Sequence, residues 1–273
     1  MKPAPLRYVR PATVDEACAA LADGGDAKVV AGGQSLVPLL NFRLATPDVL
    51  VDLRGVEGLT GIEVGPDAVV VGAMTTQREL ERDAAALAAC PLLALALPHV
   101  GHTTTRNRGT VGGTIAHADP AAELPCVLAC LDGSVDAAGP GGERAIDAAD
   151  LFVTHLTSSL AEDEIVTRVR FPVLPGWRFG FQEVAQRHGD YAMAMAAVGV
   201  GPDGVRVAVG AVADRPLRLP EVEAAIAAGA GDDDLRALVA AALDPADAPH
   251  APPDYRRALA GTLVVRALAE ARA

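Results

Sequence analysis

Aromatic residues make up only 3% of this 273-residue chain, so alanine, valine and leucine must fill whatever core it builds. About half of the residues are apolar, enough for a sizeable core spread over two or three small domains. Basic charge is also short: 23 Lys and Arg stand against 35 Asp and Glu, a net charge of −12. No basic stripe is available to neutralise phosphates, which argues against nucleic acid, and the acidic surface favours solubility. No apolar run reaches the length of a membrane helix, because the Ala-rich residues 84–97 are broken at Cys90-Pro91 and followed by Pro98. Residues 1–7 lack the apolar core of a signal peptide, and a cytoplasmic location is expected. The four cysteines, Cys18, Cys90, Cys126 and Cys130, form no C-x-x-C pair. Cys126 and Cys130 share a helix face as small apolar residues, and neither a cluster nor a structural zinc is expected within this chain.

Two glycine segments stand out instead, Ala31-Gly32-Gly33-Gln34-Ser35-Leu36 and Thr110-Val111-Gly112-Gly113-Thr114. Paired glycines let backbone N–H groups converge on an anion with no Cβ in the way, and each segment ends near a hydroxyl that adds a donor. Two such segments suggest a diphosphate held from two sides. Neither has the G-x-G-x-x-G spacing of a Rossmann turn.

Around these segments the pattern reads as mixed helix and strand. Thr13 is placed to cap a helix over 14–21, ended by Gly24 and Gly25, and residues 27–30 form a strand leading into the first glycine segment. A strand at 49–53 and a hairpin of 61–64 with 68–72 on Gly65-Pro66-Asp67 follow. Thr76 with Glu79 has the spacing of a capping box. One longer helix is expected over 84–97, irregular chain over 99–114, and a helix from Asp119-Pro120 to about Ala129. Strands near 133–136 and 165–171 precede Pro172-Val173-Leu174-Pro175-Gly176, the best candidate boundary. Beyond it, three strands (180–186, 192–200, 205–212) lead into helices near 220–228, 233–243 and from Tyr255 onward.

Four stretches together carry a resemblance. They are the first glycine segment, Arg106-Asn107-Arg108-Gly109-Thr110-Val111-Gly112-Gly113, Ala116-His117-Ala118-Asp119-Pro120-Ala121-Ala122-Glu123-Leu124-Pro125, and Phe181-Gln182-Glu183-Val184-Ala185-Gln186-Arg187-His188-Gly189-Asp190-Tyr191. In this order and at these separations the chain resembles the FAD-binding medium subunit of the molybdenum hydroxylases, the carbon monoxide and xanthine dehydrogenase family. The resemblance implies an α+β fold: a PCMH-type (VAO-like) FAD-binding domain of two α/β subdomains, expected at 1–55 and 56–175. A C-terminal domain over 176–273, with a three-stranded antiparallel sheet and helices, would follow. It also implies partners, namely a large subunit with the molybdenum cofactor and a small subunit with two two-iron two-sulfur clusters. Electrons would reach FAD from those clusters and leave to an external acceptor.

The resemblance places Gly32, Gly33 and Ser35 on the FAD pyrophosphate, with Val30, Ala31, Gln34 and Leu36 as wall and backbone contacts. Thr110, Val111, Gly112, Gly113 and Thr114 would face them. Glu123 matches a position that accepts from cofactor hydroxyls, although a first-turn glutamate also suits the helix dipole. Asp119 serves as a helix cap or a cofactor contact, and the two roles are compatible. Tyr191 matches a position beside the isoalloxazine, against the alternative of packing its own domain. Gln182 stands where some branches carry Lys, so a charge-based role there is in doubt. No nucleophile–base pair is visible, and no catalytic side chain or metal ligand is expected. A free-standing FAD-dependent oxidoreductase acting directly on a small molecule is the alternative, and a non-enzymatic nucleotide-binding module is a third reading.

Overall fold

The computed structural model describes residues 1–23, 25–247 and 251–273. The expected stop at Gly24 therefore lies outside the described residues. Three sheets follow one another along the chain. In the first, β1 (Arg7–Val9), β2 (Ala27–Val30) and β3 (Val49–Asp52) run parallel in the order β1-β3-β2. Parallel neighbours need crossovers, and the helices Val14–Ala22 and Leu36–Asn41 supply them. The Thr13 hydroxyl caps the first of these, accepting from the Glu16 N–H at 3.2 Å. This helix buries Ala17, Cys18 and Leu21 on one face.

The second sheet is antiparallel and contains β4 (Ile62–Val64), β5 (Ala68–Gly72), β6 (Ser134–Gly139) and β7 (Gly142–Asp147). A small hairpin of β8 (Phe152–Thr154) and β9 (Thr157–Ser158) precedes β10 (Ile165–Pro172), and the sheet order is β4-β5-β10-β6-β7. The expected hairpin of β4 and β5 is present, and Thr76 and Glu79 form the complete capping box of the helix Gln77–Arg82. In the third sheet β11 (Arg178–Ala185), β12 (Ala192–Gly201) and β13 (Gly204–Gly210) are the three long antiparallel strands, with the two-residue β14 (Leu217–Arg218) added at the edge.

Three local expectations need correction. The single helix over 84–97 is two, Ala84–Ala89 and Pro91–Ala96, because a mid-helix Pro91 would clash with the carbonyl four residues earlier. Residues 99–114 are not wholly irregular: Thr103–Arg106 forms one helical turn, and the helix Val111–His117 begins inside the second glycine segment. The helix expected from Pro120 starts later, at Glu123. Pro125 explains this shift. In a helix begun at Pro120 it would fall in the interior, whereas from Glu123 it occupies the first turn, where a missing N–H costs nothing.

The helix Glu123–Leu131 is buried at every position and lies between the second and third sheets. It belongs to a continuous core that also holds Phe171, Phe179, Phe181 and Met195. Small residues on β12 make this three-layer arrangement work. Met195 and Ala197 face that core, while Ala194, Ala196 and Val198 face a second core formed with the helices Pro220–Ala227, Asp232–Ala241 and Pro253–Arg272.

Candidate functional site

The first glycine segment leaves the end of β2 and turns sharply at Gly33, whose φ of +72° lies in the left-handed region that only glycine adopts without penalty. Ser35 stands at the N-cap of the next helix but makes no side-chain cap bond. Among the described residues, the backbone N–H groups of Gly32, Gly33, Gln34 and Ser35 have no acceptor within the chain. Four successive unpartnered donors need solvent or a ligand.

The second segment is built differently. Thr110 caps the helix Val111–His117, its hydroxyl accepting from Gly113 N–H at 3.1 Å. Val111 N–H donates to the Thr75 carbonyl and Gly112 N–H to the Ala73 carbonyl, each at 2.9 Å. These donors are already satisfied inside the protein. A Cβ on Gly112 would overlap Ala73, and one on Gly32 would overlap the Arg108 carbonyl oxygen, so glycine lets the segments press against their neighbours. Gly113 lies against Ala31, where a Cβ would approach to 3.3 Å.

Two adjoining cavities, of about 440 Å³ and about 230 Å³, open along this contact. Both are lined by Gln34, Ser35, Gly109, Thr114 and His117. The larger adds Ala31, Gly32, Gly33, Leu36, Thr110 and Gly113, with Lys28, Leu39 and Leu156 beyond them. The smaller adds Gln77, Glu123 and Tyr191. Most of the expected site residues therefore come together. Val30 and Val111 are core residues behind the wall, and Gly112 faces a third, smaller cavity beside Met74 and Ile165. Asp119 accepts from Ala121 N–H at 2.9 Å, capping a turn that precedes the helix. Gln182 is not brought to the cleft. It lies on the opposite face of β11, and its amide donates to Glu270 at 3.0 Å.

Gln77 was not anticipated. Its amide N–H donates to Thr114 Oγ1 at 2.6 Å, while its carbonyl oxygen is buried at the cavity wall with no partner. That oxygen lies against Gly109, where a Cβ would come within 2.6 Å of it. Its only sequence signal was a glutamine just after a helix cap, which is ordinary. Arg106 braces the chain rather than facing the cleft, donating to the Val100 carbonyl at 2.8 Å and pairing with Glu81 at 3.0 Å.

The cleft also has an electrostatic interior. Glu123 is 6% exposed, and burial pushes its carboxyl up to about 7, with Asp119 adding to the rise and Arg106 opposing it. Glu183 on β11 carries no sequence signal of its own, yet it is buried. Its side chain is 3% exposed, its Oε2 has no hydrogen-bond partner, and burial with the charge of Glu123 pushes it up to about 8. His99 Nδ1 lies 4.0 Å from that oxygen, its own pKa lowered by burial and by His188. Tyr191 stands at the mouth, 59% exposed, with its hydroxyl near Ser35 and Asp119. The four cysteines are free and buried, and no group of three metal-ligating side chains exists among the described residues. Nor is any helix among them long and apolar enough to cross a membrane.

Comparison with known proteins agrees with this geometry. Residues 4–174 match the family described as the FAD binding domain in molybdopterin dehydrogenase, and residues 179–271 match the CO dehydrogenase flavoprotein C-terminal domain. The chain is 41% identical to the 6-hydroxypseudooxynicotine dehydrogenase complex subunit alpha of Paenarthrobacter nicotinovorans, covering 99% of this chain and 96% of that one. It is 34% identical to the carbon monoxide dehydrogenase medium chain of Afipia carboxidovorans, covering 100% and 99%. A solved structure, reconstituted CO dehydrogenase from Oligotropha carboxidovorans, superposes with a TM-score of 0.94 at 32% identity, covering 100% and 99%. An unpartnered row of N–H groups beside a two-chamber cleft, within this fold and these matches, places the chain in the FAD-binding subunits of the molybdopterin dehydrogenases, an oxidoreductase family whose cofactor is FAD.

Proposed function

We propose that this chain holds one FAD in the paired cavities and acts as the flavin subunit of a three-subunit hydroxylase. Its partners in this reading are a large subunit with the molybdenum cofactor and a small subunit with two two-iron two-sulfur clusters. Electrons arrive from the clusters and leave to an external acceptor. The observation that carries the reading is the run of free N–H groups from Gly32 to Ser35, aimed at a cleft large enough for a bulky ligand.

Gly32, Gly33, Gln34 and Ser35 would donate to the diphosphate, and Ala31 and Leu36 wall the larger chamber. Thr110, Gly113 and Thr114 form the opposite wall, with Val30, Val111 and Gly112 supporting from behind. Glu123 would accept from a cofactor hydroxyl, Gln77 would brace Thr114 at the wall, and Tyr191 would cover the ring at the mouth. Asp119 orients the Tyr191 hydroxyl, and Gln182 fixes the last helix through Glu270. When bound, the flavin supplies reversible one- and two-electron chemistry that no side chain here offers, and the protein sets its position and exposure. The reading divides the chain at 1–55, 56–175 and 176–273, with the cleft on the first two pieces and its cover on the third.

The test is the absorption spectrum of the purified full chain, with the released cofactor identified after denaturation. A flavin spectrum and released FAD support the reading. A colourless protein that takes up no added FAD would sink it. Co-purification with an iron–sulfur subunit and a molybdenum subunit tests the partners separately.

A further inference from the structure

The two cavities share five lining residues, Gln34, Ser35, Gly109, Thr114 and His117, and a ligand that fills both must cross between them there. On one side of this junction stand the free backbone N–H groups of Gln34 and Ser35. On the other stands the helix Val111–His117. It buries Val111, Gly112 and Ile115 and turns Gly113, Thr114, Ala116 and His117, all partly exposed, to the larger cavity. Thr114 and His117 lie one turn apart on that face, and Thr114 is already engaged by Gln77. His117 is unengaged: no hydrogen bond reaches its imidazole among the described residues. None of the five shared residues is a carboxylate. Across both linings only His117 and Lys28 can carry positive charge, and Lys28 lines only the larger cavity, 3.8 Å from Asp26. The junction therefore gathers donors and one titratable cation, which is the chemistry of an anion site.

We propose, on the reading that this cleft holds FAD, that His117 is the cationic partner of the cofactor's diphosphate, taking a proton from solvent as FAD binds and returning it on release. Backbone N–H groups meet the phosphates as dipoles, and only an imidazolium at this junction brings a full charge. His117 also stands in the last turn of its helix, where the carbonyl end of the dipole favours a cation. A diphosphate diester, unlike a phosphate monoester, has no proton to lose near neutral pH, so the titration is the protein's own.

In the free chain burial lowers the His117 pKa, with Asp119 opposing the shift and His155 adding to it. The imidazole is therefore mostly neutral at about pH 7 until an anion arrives, and the diphosphate raises its pKa in the complex. Affinity is then greatest below the free-chain pKa, falls as pH rises, and levels off above the pKa of the complex. Other ionisable groups line the cleft from neighbouring elements: Lys28 on β2, Glu123 on its helix, and Asp190 and Tyr191 on the loop before β12. Glu123 also titrates in this range, at about 7. Accepting from a cofactor hydroxyl would favour its ionised form and release a proton, the opposite sign to His117.

The experiment titrates the full chain, freed of flavin, with FAD. Flavin fluorescence gives the affinity from about pH 6 to about pH 9, and calorimetry in buffers of different ionisation enthalpy gives the proton uptake. The parent should take up protons at about pH 7 and lose about tenfold in affinity across the range, the effect of a pKa raised by about one. His117→Gln, its folding checked by circular dichroism, should bind about tenfold weaker than the parent at the acid end, approach it at the alkaline end, and take up no protons. His117→Lys keeps a cation where the parent has lost it, and should bind tighter than the parent at the alkaline end. A merely structural histidine would not give that crossing. Folded His117→Gln that keeps the parent's pH profile and proton uptake overturns the role of His117 and leaves the cofactor reading intact. So does a parent affinity that is flat across the range. A parent chain that binds no FAD at any pH overturns the cofactor reading and the role of His117 with it.

Discussion

The two glycine segments look alike in sequence and do opposite work. In the first, Gly33 takes a left-handed turn and the N–H groups of residues 32–35 are left free, so the backbone itself presents the donors. In the second, Thr110 and the Thr75 and Ala73 carbonyls consume the donors, and glycine serves close packing of a helix on Ala73 and on Ala31. One segment leaves its donors to solvent or to a ligand. The other is complete and forms the wall against which the first is set. A glycine pair therefore does not identify an anion site until the fate of its N–H groups is known.

The largest expected effect separates the two walls by charge. Residues 31–36 contain no ionisable side chain, whereas the opposite wall carries Glu123 with Glu183 behind it. Glu183 titrates near 8 when folded against 4.5 for an ordinary glutamate. Its contribution is then complete below about pH 4.5 and is lost as pH rises through about 8, by up to about 5 kcal/mol. Urea unfolding across this range should show stability falling with pH, and Glu183→Gln should flatten the slope. An unchanged slope in the variant would place the pH dependence elsewhere.

Next in size is Gly112→Val. Its Cβ would overlap Ala73 inside the core, and overpacking of this kind costs about 3 kcal/mol. Gly33→Val should cost less, about 1–2 kcal/mol for a left-handed valine 3.0 Å from the Val37 methyl, yet abolish FAD retention. Equilibrium unfolding and flavin stoichiometry on both variants test the division. Gly112→Val is mainly a folding lesion, Gly33→Val mainly a binding lesion, and the reverse pattern would break the comparison.

The hydroxyls sharpen it further. Thr110 caps its helix, so Thr110→Ala should lose about 1 kcal/mol of stability. Ser35 makes no cap bond, so Ser35→Ala should be nearly silent in unfolding while weakening FAD by about tenfold. Stability and FAD titration on the two alanine variants should give crossed effects.

Much of this was legible from local chemistry. The Thr13 cap, the Thr76–Glu79 capping box and the Gly65-Pro66-Asp67 hairpin depend on residues a few positions apart, and each formed as expected. The late start of the helix at Glu123 was also encoded, since Pro125 forbids an earlier one, but it required weighing two prolines against each other. The fate of the second segment's donors was not legible, because Thr75 and Ala73 are brought to it by the turn after β5. The pair Gln182 and Glu183 shows the same limit at one-residue resolution. Successive side chains on a strand point to opposite faces, and only the packing of β11 tells that Glu183 turns inward beside His99 while Gln182 meets Glu270.

Tyr191 connects the two walls and carries the smallest expected effect on stability. Its ring is largely exposed, so Tyr191→Ala should change unfolding by less than about 0.5 kcal/mol. Its hydroxyl lies near Ser35 of the open segment and Asp119, which leads from the closed segment into the helix at Glu123. If the ring covers the flavin, the variant keeps FAD but exposes it to water, shifting its reduction potential and its fluorescence. An aromatic that merely packs its own domain would leave both unchanged. A potential that moves while unfolding does not would locate the flavin ring beside Tyr191, between Ser35 of the first glycine segment and Asp119.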